Sequence, residues 1–247
     1  MGEALDALSP SAGLGSLKVT TTPFFASRWL LPRLKRWRQG NRDAYVDLHP
    51  SLQMLDLAKE GIDLGIRCGR PPWPGLKAEL LLPIHLSPLC SPKILEGPPA
   101  LDRPSDLQHQ NLIHADISSH PRGEEWNTWL AAAGMAALGD GSGLHFHEPA
   151  LALQAAADGL GVAMGYLEFA RADIEAGRLV QPFALSVRHD FSYYLVHGDG
   201  QPLKENASAF AAWVRQEAVS FLDGDAAEKL PWHHHALSRS FRGEISS

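Results

Sequence analysis

Cysteine is nearly absent from this chain. Among 247 residues only Cys68 and Cys90 occur, too few for a disulfide framework and without a CxxC pair that would suggest a zinc or dithiol site. A reducing, cytoplasmic setting is the expectation. Long apolar runs are missing as well, none approaching the roughly 20 residues of a membrane-spanning helix, so no membrane contact is expected. The opening stretch, MGEALDALSPSAGLGS, has acidic residues and lacks the basic start and apolar centre of a secretory signal. Positive charge is in deficit: 22 Lys and Arg against 28 Asp and Glu leave a net −6, which argues against this chain alone wrapping nucleic acid. Catalytic signatures are wanting too. There is no GxSxG elbow, no legible Cys/His pair and no paired acidic motif, so the chain reads as a non-enzyme with no cofactor, although its scattered Asp, Glu and His side chains leave an enzyme as an alternative.

What is present is an ordinary globular composition, 45% hydrophobic and 20% charged, enough to bury the core of one large or two small domains. Leu17, Val19 and Thr21 alternate as a strand. Ala26, Leu30, Leu34 and Trp37 then recur at spacings of four, four and three, which predicts a helix, kinked at Pro32 or regular only from about there. A strand at 44–48, a second helix after Ser51 and a strand at 62–66 follow. Two successive crossovers imply parallel pairing and an α/β fold. A Gly/Pro-rich loop at 69–75 leads to extended segments at 77–82 and 86–90, and the prolines at 98, 99 and 104 suggest a boundary. Beyond it the plan repeats, with strands at 112–114, 144–146 and 162–164 and helices at 124–133 and 149–158. An extended run at 191–196 and a helix at 203–222 close the pattern, the helix being long enough to pack back on the first half. Crossings at 86–91 and 192–197 would join the two halves, and the residues from Asp223 onward read as an appendage or partly disordered tail.

Several segments together resemble the effector-binding domain of LysR-type transcriptional regulators, in the branch of the glycine-cleavage activator and the β-lactamase regulator. They are LKVTTTPFFASRWLLPRLKRW, DLAKEGIDLGIRCGRPPWPGL, LSPLCSPKIL, HEPALALQAAADGLGVAMG, AGRLVQPF, SYYLVH and FAAWVRQE, running in family order from Leu17 to Glu217. The resemblance implies a type 2 periplasmic-binding-protein-like fold, with two Rossmann-like subdomains joined by two crossover strands and a small-molecule effector between them. The expected division is a linker remnant at 1–16, subdomain I at 17–88 and 194–223, subdomain II at 89–193, and a C-terminal tail at 224–247. Members of the family begin with a winged helix-turn-helix, and fewer than twenty residues precede the first strand here. The expectation is either an isolated regulatory half or a natural truncation, with promoter DNA bound only through that missing head. Family members often pair through these domains, so a homodimer or higher homo-oligomer is implied. A transport-type solute-binding protein shares the implied fold and is the alternative, distinguished by its need for an export signal.

In open α/β sheets ligands bind beyond the carboxyl ends of strands, where helix N-termini present unpaired N–H groups. Thr21, Thr22, Phe24 and Ser27 follow the first strand, and their hydroxyls either hold a ligand or cap the helix. His49 and Ser51 follow the second. Arg67 and Cys68 end the third, and Arg67 either takes a ligand carboxylate bidentately or clamps loops or subdomains together. From the second half, Asp116, Glu148, Met164 and Tyr166 would face the same cleft; a glutamate there suits a ligand ammonium, so an amino acid, a carboxylate or a peptide-bearing metabolite are the effector classes considered. Three motifs fail. Gly159, Gly161 and Gly165 have the wrong spacing for a dinucleotide turn and read as helix C-cap and tight turn. His145 and His147, like the run His233, His234 and His235, lack the further ligands of a metal site. Arg33, Lys35, Arg36 and Arg38 alternate with buried Leu34 and Trp37 as a solvated helix face.

Overall fold

The computed structural model describes residues 16–42, 44–116, 122–138, 143–200 and 202–227. The expected linker remnant, apart from Ser16, and the tail from residue 228 on, with His233, His234 and His235, lie outside the described residues, while the first tail residues, 224–227, continue the last helix. One mixed sheet of eight strands organises the chain: β1 (Leu17–Thr21), β2 (Val46–Pro50), β3 (Leu64–Gly69), β4 (Leu76–Leu89), β5 (Leu112–Ala115), β6 (Gly143–Phe146), β7 (Val162–Tyr166) and β8 (Val187–Gly198), in the order β2-β1-β3-β8-β4-β7-β5-β6. β1 lies between β2 and β3 in parallel register, and β5 lies likewise between β6 and β7. The two parallel triplets are joined by β4 and β8, which pair antiparallel with each other. β8 also borders β3, and β4 borders β7 from Leu86 to Leu89. Register shifts at Leu80/Leu82 and Pro83/His85 bend β4 just before it passes from β8 to β7.

The first helical stretch shows what Pro32 does. α1 (Pro23–Phe25) begins on Thr22, whose hydroxyl accepts the Phe25 N–H, and passes through a π-helical turn, Ala26–Leu30, into α2 (Leu31–Gly40). In the π turn the Leu31 N–H reaches five residues back to the Ala26 carbonyl. The regular helix thus starts at the residue before Pro32, where a missing N–H costs least. The remaining helices are α3 (Pro92–Glu96), a 3-10 turn at Pro104–His109, α4 (Glu124–Ala132), α5 (Pro149–Ala157), α6 (Leu167–Glu175) and α7 (Glu205–Ala227). α7 packs back on the first triplet: Trp37 meets Phe210 and Trp213 with ring centroids 5.2 and 5.4 Å apart.

Two expectations need correction. No helix follows Ser51. Residues 57–61 form only turns, because Leu57 is the one apolar side chain that is buried there, Leu52 and Met54 are exposed, and the Asp56 carboxylate takes the Lys59 N–H. The extended segments at 77–82 and 86–90 are one continuous 14-residue strand, β4. α6 was not expected from the sequence. It buries Glu168 and Asp173 beside Leu167, Phe169 and Ala170, and those charges hide its apolar face. Gly161 marks a close approach: with φ +154°, a Cβ would stand 2.1 Å from the Asn111 carbonyl oxygen.

Candidate functional site

Four elements carry their ends to one place between the triplets. Thr22 follows β1 and caps α1, and its hydroxyl shares a 3.2 Å hydrogen bond with the Tyr193 hydroxyl on β8. Tyr193 stands opposite Cys68 of β3 in the antiparallel register. From the other triplet, Tyr166 at the end of β7 donates its hydroxyl proton to the Glu125 carboxylate of α4. Phe24 closes the gap, with its ring edge-on to Tyr166 at 5.8 Å and against Phe169 at 4.8 Å.

The electrostatics follow from burial. Glu125 is 7% exposed, and burial pushes its carboxyl up to about 7 against an ordinary 4.5, while the Tyr166 hydroxyl pulls the other way. Burial likewise raises both tyrosines well above 10, with the Glu125 charge adding to each and that of Glu148 adding to Tyr193. The Cys68 thiol, half-buried on β3, is pushed to about 12, chiefly by burial and further by Glu125, which keeps it protonated near neutral pH. Glu148 caps α5, and burial raises its carboxyl too. Its Oε1 is enclosed without a protein hydrogen-bond partner. Thr22, Phe24, Cys68, Glu148 and Tyr166 therefore gather in one polar-aromatic cluster, together with two residues that were not singled out in the sequence, Glu125 and Tyr193. Glu125 had a signal: it lies four residues before Trp129, on the buried face of α4.

The other candidates go elsewhere. Thr21 is fully buried, and its hydroxyl has no partner. Ser27 is exposed, donating to the Phe24 carbonyl at 3.2 Å. His49 is exposed against Asp47, and the Ser51 hydroxyl accepts the Gln53 N–H. Arg67 is 3% exposed and acts as the loop clamp. Nη1 donates to the Ser51 carbonyl at 2.5 Å and Nη2 to the Thr20 hydroxyl at 2.6 Å, so the fork that would take a ligand carboxylate is already engaged. Burial lowers Arg67 to about 10, which leaves it charged near neutral pH. Met164 is buried in β7 opposite Pro88.

Asp116 is the hub of a third group. Its carboxylate takes His145 Nδ1 at 2.8 Å and Arg122 Nε at 3.2 Å, and its carbonyl lies 3.1 Å from His147 Nδ1. The His145 ring stacks on His114 at 4.5 Å. Burial and then the His145 charge lower the His114 pKa. A cavity of about 10 Å³ between His114, Asp116, Glu124 and Glu125 joins this group to the buried glutamate. Among the described residues no cluster of three or more His, Cys, Asp or Glu is placed to hold a metal, and no helix is long and apolar enough to cross a membrane.

Comparison with known proteins places this architecture. The glycine cleavage system transcriptional activator of Escherichia coli K12 is 34% identical over 218 residues, covering 88% of this chain and 70% of that protein. The HTH-type transcriptional activator AmpR of Citrobacter koseri is 32% identical over 199 residues, 80% of this chain and 66% of that protein. Among solved structures, the effector domain of the transcriptional regulator AmpR of Pseudomonas aeruginosa superposes with a TM-score of 0.72 at 28% identity, over 85% of this chain and 98% of that domain. Residues 12–219 match the family described as the LysR substrate binding domain, and with the two parallel triplets joined by β4 and β8 the chain belongs to that family of effector-binding domains.

Proposed function

We propose that this chain senses a small polar metabolite carrying an amino group, an amino acid or a peptide-bearing compound, held between the two halves by Thr22, Phe24, Glu125, Glu148, Tyr166 and Tyr193. The observation that carries this reading is the meeting of hydroxyls and carboxylates from both triplets in one cluster, with the Glu148 Oε1 enclosed and lacking a protein donor. The cluster offers acceptors, and Arg67, next to Cys68 on β3, is spent on Ser51 and Thr20. A ligand that brings N–H donors suits it better than one that brings only a carboxylate.

In this reading subdomain I is 17–88 with 194–223, subdomain II is 89–193, and the halves move about β4 and β8. The effector acts through its different affinity for the open and closed arrangements. In the full-length protein, a cytoplasmic homodimer or higher oligomer, that shift alters how separate DNA-reading domains meet a promoter. The domain itself performs no catalysis.

A thermal-shift screen of amino acids, short peptides and their derivatives tests the reading, since a ligand at 100 times its dissociation constant adds roughly 2.7 kcal/mol of stability. A hit should be weakened by Thr22→Ala and Glu125→Gln without loss of the fold. Unchanged binding to a Thr22→Ala variant that melts early would make Thr22 a structural cap only. Turnover of a compound that leaves the melting temperature unmoved would sink the sensor reading.

A further inference from the structure

Four side chains of α6 meet the first half of the chain, and each has a partner there. Glu168 accepts the His85 N–H of β4 at 3.0 Å, and the Phe169 ring lies 4.8 Å from that of Phe24. Arg171 donates to the Phe221 carbonyl of α7 at 3.3 Å, and Asp173 accepts Arg28 Nη1 at 2.6 Å. Tyr166, the residue that precedes α6, is itself bonded to Glu125. The helix that its own charges hide in the sequence is thus a face on which the second half rests against the first, and its start is anchored in the effector cluster.

Of these contacts the Arg28–Asp173 pair is built to come apart. Asp173 is 3% exposed, and two arginines share its carboxylate. Oδ2 takes Arg28 from the first half, while Oδ1 takes Arg178 from the second, whose Nε donates at 2.8 Å and whose Nη2 bonds the same oxygen. The Asp173 carbonyl accepts the Arg178 N–H at 2.8 Å, so that arginine travels with the aspartate. A buried carboxylate left without a cation is strongly destabilising, and Arg178 prevents this when Arg28 withdraws. Arg28 also reaches the Ala150 carbonyl at 3.5 Å, which ties the first half to α5 as well as to α6. It sits four residues after Phe24, on one face of the first helical stretch, so a shift of Phe24 against Tyr166 is carried to Arg28 against Asp173.

We propose that Arg28 and Asp173 form a releasable latch that holds the two halves closed, with Arg178 as the partner that keeps Asp173 neutralised when the latch opens. The proposal rests on the motion of the halves about β4 and β8 given above and needs no ligand. The latch sets how far the unliganded chain favours the closed arrangement, and hence how much of an effector's affinity goes into closing it.

The two cysteines supply the test on the whole chain. Cys68 lies in the cluster, where it interacts electrostatically with Glu125 and Tyr166 of the second half, whereas Cys90 is fully buried and bridged to Val180. Alkylation by N-ethylmaleimide, followed at each cysteine by mass spectrometry, therefore reads separation of the halves at Cys68 and global unfolding at Cys90. Arg28→Gln should speed the labelling of Cys68 about tenfold and leave Cys90 unchanged. Arg178→Gln should slow Cys68, because opening would then strand Asp173, whereas a merely structural ion pair gives faster labelling in both variants. If Arg28→Gln does not fold, Arg28→Lys, which keeps the charge and gives up the contact with Ala150, must speed Cys68 instead. Cys68 rates indifferent to Arg28→Gln, faster with Arg178→Gln, or rising in step with Cys90 would each overturn the latch while leaving the moving halves in place. Equal rates at the two cysteines of the unaltered chain would overturn the motion itself, and the latch with it.

Discussion

Replacing Glu125 by glutamine tests the central electrostatic claim. In the folded chain burial holds this carboxyl at about 7 rather than 4.5, so between those values the native state keeps a proton that the unfolded chain has released. Folding stability must therefore fall as pH rises through that window and level off above it. From the two pKa values the loss between about pH 5 and about pH 8 is on the order of 2–3 kcal/mol. That is a sizeable share of the roughly 5–15 kcal/mol of a typical domain. The amide of Glu125→Gln has nearly the same shape, its Oε1 still accepts the Tyr166 hydroxyl, and it does not ionise. Urea unfolding followed by tryptophan fluorescence, run on both proteins at several pH values across that range, isolates the effect as a difference of two curves. The gap should grow by on the order of 2–3 kcal/mol in favour of the variant on going from about pH 5 to about pH 8. Parallel curves, with a gap constant within about 0.5 kcal/mol, would mean that Glu125 ionises as an ordinary exposed carboxylate and that the buried cluster has been misjudged.

The Tyr166 hydroxyl pulls the Glu125 pKa downward, so Tyr166→Phe should extend the same pH-dependent loss to values above 7, measured by the same titration. Gly161→Ala puts a Cβ 2.1 Å from a backbone oxygen at φ +154° and should cost about 2–4 kcal/mol, read as a lowered urea midpoint; a neutral result would mean that the β5–β7 edge relaxes freely. Arg67→Lys keeps the charge but loses the forked bonds to Ser51 and Thr20 and should destabilise by about 1–3 kcal/mol, while a change below about 0.5 kcal/mol would remove Arg67 as the clamp of β1, β2 and β3.

Elements whose period and burial agree were readable in the sequence. β1 has Leu17, Val19 and Thr21 buried, and the expected bounds 17–21 are those observed. α5 and β7 follow one another as the glycines at 159 and 161 suggest, with Gly159 left-handed after the helix. The segment after Ser51 deceives because its leucines and methionine repeat at helical spacing although tertiary contacts bury only Leu57. α6 deceives in the opposite sense. Its interior face carries Asp173, bonded to Arg28 at 2.6 Å, and Glu168, bonded to His85, so charges that a periodicity count assigns to solvent are paired inside.

The site divides along the same line. Hydroxyls at strand ends are legible, because strand ends and capping residues announce themselves locally, and Thr22 is both a cap and a partner of Tyr193. A guanidinium at a strand end is only half legible: Arg67 has the right type and place for an anion, and what decides its role is that the β1 and β2 ends bring a hydroxyl and a carbonyl within reach of both terminal nitrogens. Carboxylates inside the fold are the hardest. Glu125 is sequence-adjacent to exposed-looking charge at Glu124, and only burial in the folded chain turns it into a proton-holding group, with the Tyr166 hydroxyl that arrives from β7 pulling the other way. The chemistry of this cleft is thus written in long-range pairs, Thr22 with Tyr193 and Glu125 with Tyr166, each bridging elements far apart in the chain. The Thr22–Tyr193 pair joins the end of β1 to the crossover strand β8 and should break when the halves separate, which makes it a reporter of closure, whereas Glu125 and Tyr166 both belong to the second half and stay paired.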